Sequence, residues 1–283
     1  MRDPVSVPSI AARKKARGDP PIVMVTAYDT PFARLVDEAG VDLILVGDSV
    51  GNNVLGYENA LAVDLEEMVH HVGAVARARP SALVVGDLPW MSYHVDLADT
   101  IRNAAALVRA GASAVKLEGG RRRVPAIRAI LDAEIPVMGH LGLTPQSLHV
   151  MGGLAVQARD VEAARLLELD AQALAGAGCF ALVLEGVPDL VASRVTSAID
   201  IPTIGIGAGP DCDGQVLVLH DLLGLSAGHV PKFVRRYADL AGIAREAIAS
   251  FAADVRSGGY PSPEETYHAS PQLRGELCGE SGG

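Results

Sequence analysis

The feature that most constrains this chain is a series of short apolar runs that alternate with alanine-rich, amphipathic segments. Runs of Val, Ile and Leu of this length are typical of parallel strands that are buried on both faces. The candidate strands are residues 22–27, 43–47, 83–86, 114–117, 136–139, 180–184, 202–206 and 215–219, and the candidate helices include 31–39, 65–77, 97–110, 124–131 and 160–175. Strands that alternate with helices predict right-handed crossovers and a parallel sheet. Eight such strands favour an α/β fold, a closed (β/α)8 TIM barrel.

The link between the seventh and eighth candidate strands departs from this pattern. Residues 207–214 read GAGPDCDG, which leaves too little chain for the crossover of about a dozen residues that parallel strands usually require. Two alternatives follow. Either this unit of the barrel is degenerate, or the eighth strand is wrongly assigned and the sheet is open.

Helical segments flank the predicted barrel at both ends. Residues 9–17 predict a short N-terminal helix that either caps the bottom of the barrel or contacts a neighbouring subunit. Residues 234–255 predict a long amphipathic helix, after which the chain becomes polar and rich in Gly, Pro, Ser and Glu. We therefore predict one barrel domain over residues 1–268, with an N-terminal helix and a C-terminal helical extension, and a flexible tail over residues 269–283.

Composition limits the kinds of partner that the protein is expected to bind and the cellular compartment in which it is expected to lie. Hydrophobic residues make up 49% of the chain, which is ample for a large core, and aromatic residues only 4%, so the core must be aliphatic. The net charge of −10 and the lack of a Lys/Arg stripe argue against nucleic acid as a partner. Three cysteines without metal-ligand spacing, Cys179, Cys212 and Cys278, favour a reducing compartment. Without an apolar signal-peptide core or a run long enough to span a bilayer, the chain is expected to be cytoplasmic and not membrane-bound.

Acidic residues recur where the candidate strands end. Asp29 follows the first strand, Asp48 and Ser49 the second, Asp87 the third, and Glu118 the fourth. The carboxyl ends of barrel strands meet at one mouth, where the active sites of this fold lie. Asp48 and Asp87 are therefore candidate ligands of a divalent metal such as Mg²⁺, with Glu118 reaching it directly or through a water. The alternative is that each aspartate caps the helix or loop that follows it.

Three further residues at this mouth are candidates for a site. Lys116 and Glu118 lie two residues apart and so share one face of the fourth strand. Either they form a structural ion pair, or Lys116 binds a carboxylate or carbonyl of a substrate. His140 lies in the loop GHLGLTPQ (139–146) after the fifth strand. Glu185 ends the apolar run LVLE, so partial burial is expected to raise its pKa, as a general base requires.

The glycine-rich segment TIGIGAG (203–209) does not predict a nucleotide site. Its G-x-G-x-G spacing is followed by Pro210 rather than by a helix, unlike the dinucleotide fingerprint. A closely packed barrel mouth explains these glycines better. The chain also lacks P-loop, C-x-x-C and G-x-S-x-G motifs.

Several long motifs resemble one enzyme family. They are TAYDTPFARLVDEAGVDLILVGDSVG (26–51), VLGY (54–57), GDLPWMSY (86–93), GASAVKLEGG (111–120), GHLGLTPQ (139–146), LVLEGVP (182–188), TIGIGAGPDCDGQVLVLHDLLG (203–224) and YPSPEETYH (260–268). Together they resemble the 3-methyl-2-oxobutanoate (ketopantoate) hydroxymethyltransferase family over most of the chain. The resemblance implies a (β/α)8 barrel of the phosphoenolpyruvate/pyruvate superfamily that forms homo-oligomers, commonly decamers.

The resemblance also implies a reaction and a set of site residues. The family transfers a hydroxymethyl group from 5,10-methylenetetrahydrofolate to 3-methyl-2-oxobutanoate through a Mg²⁺-stabilised enolate, the first committed step toward pantothenate and coenzyme A. By position, the implied roles are metal ligands for Asp48, Asp87 and Glu118, substrate contacts for Asp48, Ser49, Asp87, Lys116 and His140, and the general base for Glu185.

Some positions depart from the family pattern, and two other readings stay open. Asn52-Asn53, Ala60 and Trp90 stand where the family has Met-Val, Thr and Phe, all beside the predicted site.

The runner-up enzyme is a Mg²⁺-dependent lyase or mutase of the same superfamily, although the catalytic cysteine loop usual in such enzymes is not evident. A non-catalytic barrel would be expected to have lost site groups, and the named polar groups are all present.

Overall fold

Eight parallel strands close into a barrel in which each strand pairs with the next along the chain and the last pairs with the first. The computed structural model describes residues 3–226, 228 and 230–279. The strands are β1 (Ile22–Thr26), β2 (Leu43–Val46), β3 (Leu83–Asp87), β4 (Ala114–Glu118), β5 (Val137–Gly142), β6 (Ala181–Glu185), β7 (Thr203–Ile206) and β8 (Gly214–Leu217). The predicted (β/α)8 barrel is confirmed, and the open-sheet alternative is wrong.

Helices follow most of the strands. They are α1 (Val7–Ala11), α2 (Thr30–Glu38), α3 (Leu65–Ala76), α4 (Leu97–Ala110), α5 (Val124–Asp132), α6 (Leu148–Met151), α7 (Val161–Ala177), α8 (Asp189–Ala198), α9 (Leu219–Leu223), α10 (Leu240–Ser257) and α11 (Pro271–Cys278). Aspartates accept a backbone N–H at the start of several of these helices, as Asp29 does for α2 and Asp160 for α7. Helices α2 to α5 and α7 confirm predicted segments, whereas α8 had no predicted counterpart.

The connection from β7 to β8 is the degenerate unit of the barrel. Residues 207–213 form a loop that leads into β8 without a helix. A Cβ atom at Gly214 would lie 2.4 Å from the carbonyl oxygen of Ile22 on β1. The close approach of these strands therefore requires glycine at the start of β8.

The N-terminal segment packs against the barrel but is not one continuous helix. Helix α1 is followed by a separate 3₁₀ turn, Lys15–Arg17, so the predicted helix over residues 9–17 is wrong in extent. The break falls at Lys14, whose backbone N–H donates to the Asp19 carboxylate at 2.9 Å instead of continuing a helix. Ile10 is fully buried in the hydrophobic cluster that contains Ile22 and the other strand residues. This part of the chain therefore covers the barrel core, as one of the two alternatives predicted.

A buried ion pair fastens this N-terminal segment to the β7–β8 connection. Lys14 Nζ donates to Asp213 Oδ2 at 2.8 Å and to the carbonyl oxygen of Thr196 at 2.8 Å. The other oxygen of Asp213 accepts the backbone N–H of Lys15 at 2.8 Å, and both charged side chains are buried. Each charge therefore depends on the other for compensation.

Replacing Lys14 with Met is expected to lower the free energy of unfolding by about 3–5 kcal/mol, because Asp213 would be left as an uncompensated buried charge. Urea denaturation at neutral pH measures the change. The matched control is Lys15→Met, since the ammonium of Lys15 contacts only an exposed carbonyl, and a surface change of this kind should stay within about 0.5 kcal/mol. Equal stability of the two variants would contradict the role given to Lys14.

The chain divides into two compact units. The barrel unit comprises Met1–Leu222 and Ser226–Arg236, and the second unit comprises Leu223–Leu225 and Tyr237–Gly283. The predicted assignment of residues 1–268 to one domain stays a prediction. In the described part of the chain, no helix is both long and apolar enough to cross a membrane.

The second unit contains α10 and α11. Helix α10 begins at Leu240 rather than at residue 234, because Asp239 is its N-cap and accepts the backbone N–H of Gly242 at 3.1 Å. None of its residues is buried. Helix α11 lies within the segment that was predicted as a flexible tail, and residues 280–283 of that segment lie outside the described residues.

Candidate active site

The register of the barrel brings the predicted site residues together at one mouth. Asp87 on β3 lies beside Lys116 on β4, and Glu118 on β4 lies beside His140 on β5. These four side chains are buried, and so is Asp48, which directly follows β2. Glu185 at the end of β6 is more open, with 19% of its side chain exposed. The side chains thus form a buried cluster, which we call the acidic cluster, with members Asp48, Asp87, Lys116, Glu118, His140 and Glu185.

Lys116 is the central cation of the acidic cluster. Its Nζ lies 2.5 Å from Asp87 Oδ1 and 3.4 Å from His140 Nδ1. Burial by itself lowers the pKa of Lys116, but the carboxylates of Asp87, Glu118 and Asp48 outweigh it and hold the pKa above its ordinary value. Lys116 therefore stays charged. The ion pair that Lys116 forms is with Asp87, not with Glu118 as the structural alternative predicted.

Burial disfavours the charged forms of the Asp48 and Asp87 carboxylates. Burial raises the pKa of Asp48 well above its usual value, and repulsion from Asp87 and Glu118 adds to the increase. Burial also raises the pKa of Asp87, while Lys116 partly opposes the shift. The Asp48 backbone N–H donates to Asp87 Oδ2 at 3.2 Å, whereas Asp87 Oδ1 accepts no hydrogen bond apart from its ion pair. A further positive charge at this place would stabilise both carboxylates.

His140 connects two carboxylates on opposite sides of its ring. Its Nδ1 lies 3.2 Å from Glu118 Oε1, and its Nε2 lies 3.2 Å from Glu185 Oε2. Burial and the nearby Lys116 lower the pKa of His140, but the Glu118 and Glu185 carboxylates outweigh them and raise it to about 9. Nε2 makes no hydrogen bond of normal geometry, so its contact with Glu185 is an ion pair. Burial raises the pKa of Glu118, yet its hydrogen bond with His140 leaves it below its usual value. A charged imidazole therefore orients the Glu185 carboxylate.

Gln146 is a site residue that the sequence argument did not single out. Its Nε2 donates to Asp48 Oδ2 at 2.8 Å and to the carbonyl oxygen of Leu88 at 3.0 Å. Its backbone N–H donates to Glu118 Oε2 at 3.0 Å, and its Oε1 accepts the hydroxyl of Tyr93 at 2.6 Å. Gln146 thus holds two carboxylates of the acidic cluster, Asp48 through its side chain and Glu118 through its backbone. The available signal was its place at the end of the motif GHLGLTPQ.

Gln146→Ala is expected to lower catalytic efficiency or metal affinity by roughly 10–100-fold, because residues that orient ligands of a site typically have effects of this size. Steady-state kinetics and metal titration measure it. Gln172→Ala provides the control, since Gln172 is an exposed residue of α7 away from the strand ends. Wild-type behaviour of the Gln146 variant would show that Asp48 is held without it.

Ser49 is positioned by its neighbours rather than by the acidic cluster. Its hydroxyl lies 2.9 Å from the Tyr28 hydroxyl, and its carbonyl oxygen accepts the side-chain amide of Asn53 at 2.8 Å. Asn52 donates from its side chain to the carbonyl oxygen of Glu58 at 3.1 Å. Both asparagines lie in a π-helical turn, Gly51–Leu55. Asn52 and Asn53 therefore supply hydrogen bonds that brace the loop carrying Ser49.

Two other features noted in the sequence have structural roles, one as a helix cap and one in packing. Asp29, which was placed with the ring of strand-end carboxylates, is the N-cap of α2, so the capping alternative holds for this residue. At Gly207, whose φ is +60°, a Cβ atom would lie 2.6 Å from the ring of Phe233. The glycine-rich segment after β7 is therefore a closely packed part of the mouth, as predicted.

A closed parallel barrel with a cluster of buried charged side chains at the strand ends has the architecture of a TIM-barrel enzyme. Solved structures with this fold include a phosphonopyruvate hydrolase in complex with oxalate and Mg²⁺, with a TM-score of 0.60 and 17% identity, covering 96% of this chain and 94% of that one. A 2,3-dimethylmalate lyase, described as a PEP mutase/isocitrate lyase superfamily member, has a TM-score of 0.57 and 18% identity, covering 98% and 96%. These similarities establish the fold.

Sequence comparison identifies the family. The family model for ketopantoate hydroxymethyltransferase matches residues 4–263. The 3-methyl-2-oxobutanoate hydroxymethyltransferase of Methylobacterium sp. (strain 4-46) is 59% identical over 256 residues, which cover 90% of this chain and 89% of that relative. The chain belongs to the ketopantoate hydroxymethyltransferase family, and the resemblance stated from its motifs is confirmed.

Proposed function

We propose that this protein transfers a hydroxymethyl group from 5,10-methylenetetrahydrofolate to 3-methyl-2-oxobutanoate, giving 2-dehydropantoate. The observation that carries the proposal is the contact between Glu185 and His140 at the edge of the acidic cluster. It puts a carboxylate able to accept a proton against one ring nitrogen of His140, while the buried cation Lys116, which suits an anionic oxo acid, lies 3.4 Å from the other ring nitrogen. The curated relatives bear the name of this activity.

The acidic cluster also suits a divalent metal, which we propose to be Mg²⁺. Its carboxylates are hard oxygen ligands, and Mg²⁺ is usually held by only one or two of them, with water and substrate completing its coordination. In the described residues no three His, Cys, Asp or Glu side chains form a ready-made metal cage. Asp48 and Asp87 nevertheless fit a site completed by substrate, since burial disfavours their charged forms and Lys116 is the one protein cation of the described residues that pairs with Asp87. Glu118 is the third carboxylate that we propose to bind the metal, directly or through a water.

When bound, Mg²⁺ supplies a Lewis acid that stabilises negative charge on the oxygens of the oxo acid. Lys116 binds the same end of the substrate and neutralises its carboxylate or keto oxygen. Ser49 offers a hydroxyl, held in place by Tyr28, for a further contact.

Glu185 performs the proton transfer in this proposal. Its carboxylate removes the proton from C3 of the oxo acid, and His140 keeps that carboxylate aimed into the site through the contact at 3.2 Å. One water supplies the oxygen: its addition to the bridging carbon of the folate breaks both C–N bonds of that carbon and releases tetrahydrofolate and a formaldehyde equivalent, to which the enolate carbon then bonds. The proton held by Glu185 passes to the new alkoxide and completes the hydroxymethyl group. The burial of the acidic cluster excludes bulk water from the charged intermediate.

A single assay tests the proposed function. Purified protein is incubated with 5,10-methylenetetrahydrofolate, 3-methyl-2-oxobutanoate and Mg²⁺, and 2-dehydropantoate is measured by mass spectrometry. We expect product that depends on both folate and oxo acid. Cleavage of 2,3-dimethylmalate with no 2-dehydropantoate formed would instead favour the superfamily lyase alternative.

The homodecamer and the cytoplasmic location remain proposals. Apolar side chains of α10, among them Ile243, Ile248 and Phe251, are exposed, and such surfaces often mark contacts between subunits. Light scattering coupled to size-exclusion chromatography measures the assembly. A monomer at micromolar concentration would contradict it.

A further inference from the structure

Tyr93 is a buried tyrosine on the loop that follows β3, and it is 3% exposed. Its hydroxyl donates to Gln146 Oε1 at 2.6 Å and accepts the backbone N–H of Glu118 at 3.2 Å. The carbonyl oxygen of Glu118, at 3.4 Å, is a weaker alternative acceptor because it is farther away. One hydroxyl therefore joins the loops after β3 and β5 to the end of β4.

The hydrogen bonds around Gln146 have only one consistent direction. The Asp48 carboxylate and the carbonyl oxygen of Leu88 are acceptors, so the NH₂ group of Gln146 must face them, as it does at 2.8 and 3.0 Å. The amide oxygen then faces Tyr93, whose hydroxyl supplies the donor that this oxygen needs. Since the same hydroxyl accepts the backbone N–H of Glu118, the series of hydrogen bonds runs in one direction and ends on Asp48.

The orientation of the Gln146 amide depends on the Tyr93 hydroxyl. Without that hydroxyl, the amide oxygen would be a buried acceptor, and the described residues show no second donor to it. A half-turn of the amide would not help, because it would place the amide oxygen against the Asp48 carboxylate, which is also an acceptor. The Asp48 carboxylate is therefore held in place only while Tyr93 fixes the amide.

Packing fixes the ring of Tyr93 as well as its hydroxyl. The guanidinium carbon of Arg123 lies 5.4 Å from the centre of the ring, and the centre of the His94 ring lies 4.2 Å from it. Asn103 on α4 donates from its side chain to the carbonyl oxygen of Ser92 at 2.6 Å and so braces the turn just before Tyr93. The hydroxyl is therefore placed by contacts that lie outside the acidic cluster.

We propose that Tyr93 is a positioning residue that sets the Asp48 carboxylate for metal and substrate through the amide of Gln146. The inference rests on the proposed function, because that function assigns Asp48 to the site of Mg²⁺ and the oxo acid. Glu185, the proposed base, is held separately by His140 at 3.2 Å. Tyr93 therefore acts on the affinity for the metal and not on the removal of the proton once the metal is bound.

Tyr93→Phe tests this directly, because it keeps the ring and removes only the hydroxyl. Metal-depleted protein is titrated with Mn²⁺, as a substitute for Mg²⁺, in the presence of 3-methyl-2-oxobutanoate and without folate, and free Mn²⁺ is measured by electron paramagnetic resonance. We expect the Kd for Mn²⁺ to rise about tenfold, equivalent to about 1.4 kcal/mol, which is the lower end of the effects of groups that orient metal ligands. The matched control is Tyr260→Phe, which removes the same atom from a ring packed against Phe251 in the second unit and should leave the Kd within about twofold.

The rate of deuterium exchange at C3 of the oxo acid separates positioning from a general loss of folded protein. With saturating Mg²⁺, exchange by the Tyr93→Phe variant should return to within about twofold of the wild-type rate, because only the affinity for the metal has changed. A hydroxyl needed only for the fold would lower the amount of active protein at every concentration of metal. A reduced rate that saturating Mg²⁺ does not restore would therefore overturn the proposal.

A double variant tests the route through Gln146. In the Gln146→Ala background the amide is absent, so adding Tyr93→Phe should change the Kd for Mn²⁺ by less than about twofold. A tenfold effect that persists in this background would mean that Tyr93 does not act through Gln146, and it would overturn the proposal. Wild-type affinity in the single Tyr93→Phe variant would overturn it as well.

Failure of the proposed function has a different signature. In that case the wild-type protein forms no 2-dehydropantoate, whereas the dependence of Mn²⁺ binding on Tyr93 is still measured and still decides the positioning role. If the wild type forms product and the Tyr93→Phe variant binds Mn²⁺ normally, the reaction stands and Asp48 is held without Tyr93. A wild-type protein that binds no Mn²⁺ would overturn both.

Discussion

Replacing Glu185 with Gln is expected to reduce turnover by roughly 10²–10⁴-fold, which is the usual contribution of a positioned general base. The amide has nearly the shape of the carboxylate but cannot accept the proton from C3. Binding of 3-methyl-2-oxobutanoate should persist, because Lys116, Asp48 and Asp87 are unchanged. Product formation gives the turnover, and calorimetric titration in the presence of Mg²⁺ gives the binding.

The matched control is Glu168→Gln. The Glu168 carboxylate lies 3.0 Å from the Arg194 guanidinium on the helical layer and does not contact the acidic cluster. This variant should retain wild-type turnover. If the Glu185 variant were as active as the control, another group would have to be the base, and the role given to the His140 contact would be lost.

Replacing Lys116 with Met is expected to have the second large effect. Loss of the only lysine in the acidic cluster leaves Asp87 as an uncompensated buried charge, which should cost about 3–5 kcal/mol in the free energy of unfolding. Loss of its charge toward the substrate should reduce turnover by roughly 10²–10³-fold, as the removal of one electrostatic stabiliser does. Urea denaturation and steady-state kinetics measure the two effects separately.

A double variant distinguishes the structural part from the functional part. Combining Lys116→Met with Asp87→Asn removes both charges of the pair, so much of the stability should return. Activity should not return, because the substrate cation and one proposed metal ligand are then both absent. Recovery of turnover in the double variant would mean that Lys116 serves only as the partner of Asp87.

Part of the site follows directly from the sequence. The carboxyl ends of parallel strands converge in a closed barrel, so apolar runs that end in Asp48, Asp87, Glu118 and Glu185 were sufficient to predict one shared mouth. Asp29 also follows a strand but caps helix α2 instead, because a strand-end aspartate is equally able to cap the next helix. Sequence alone does not distinguish these two uses of one residue type.

The contacts that bind the site together depend on long-range packing. Gln146 and Asp48 are 98 positions apart along the chain, and the loop that carries Gln146 is placed only once the barrel has closed. The choice of Asp87 as the partner of Lys116 likewise depends on the register of β3 against β4. No local pattern encodes either contact.

Helix α8 was not predicted because its local sequence favours a helix only weakly. Its N-cap is Pro188, which offers no side-chain acceptor, and the helix includes the β-branched residues Val191, Val195 and Thr196, which favour strands. Packing compensates, since Ala192, Val195 and Thr196 are buried. Tertiary contacts thus stabilise a helix that its sequence favours only weakly.

We propose that the acidic cluster forms an enolate from a 2-oxo acid with the help of a divalent metal. The most direct test follows deuterium incorporation at C3 of 3-methyl-2-oxobutanoate in D₂O by proton NMR, with metal-depleted protein and with the same protein after addition of Mg²⁺. We expect incorporation with Mg²⁺, little without it, and renewed loss after chelation. Equal exchange with and without the metal, or hydroxymethylated product formed at the same rate before and after chelation, would contradict metal-assisted enolate formation.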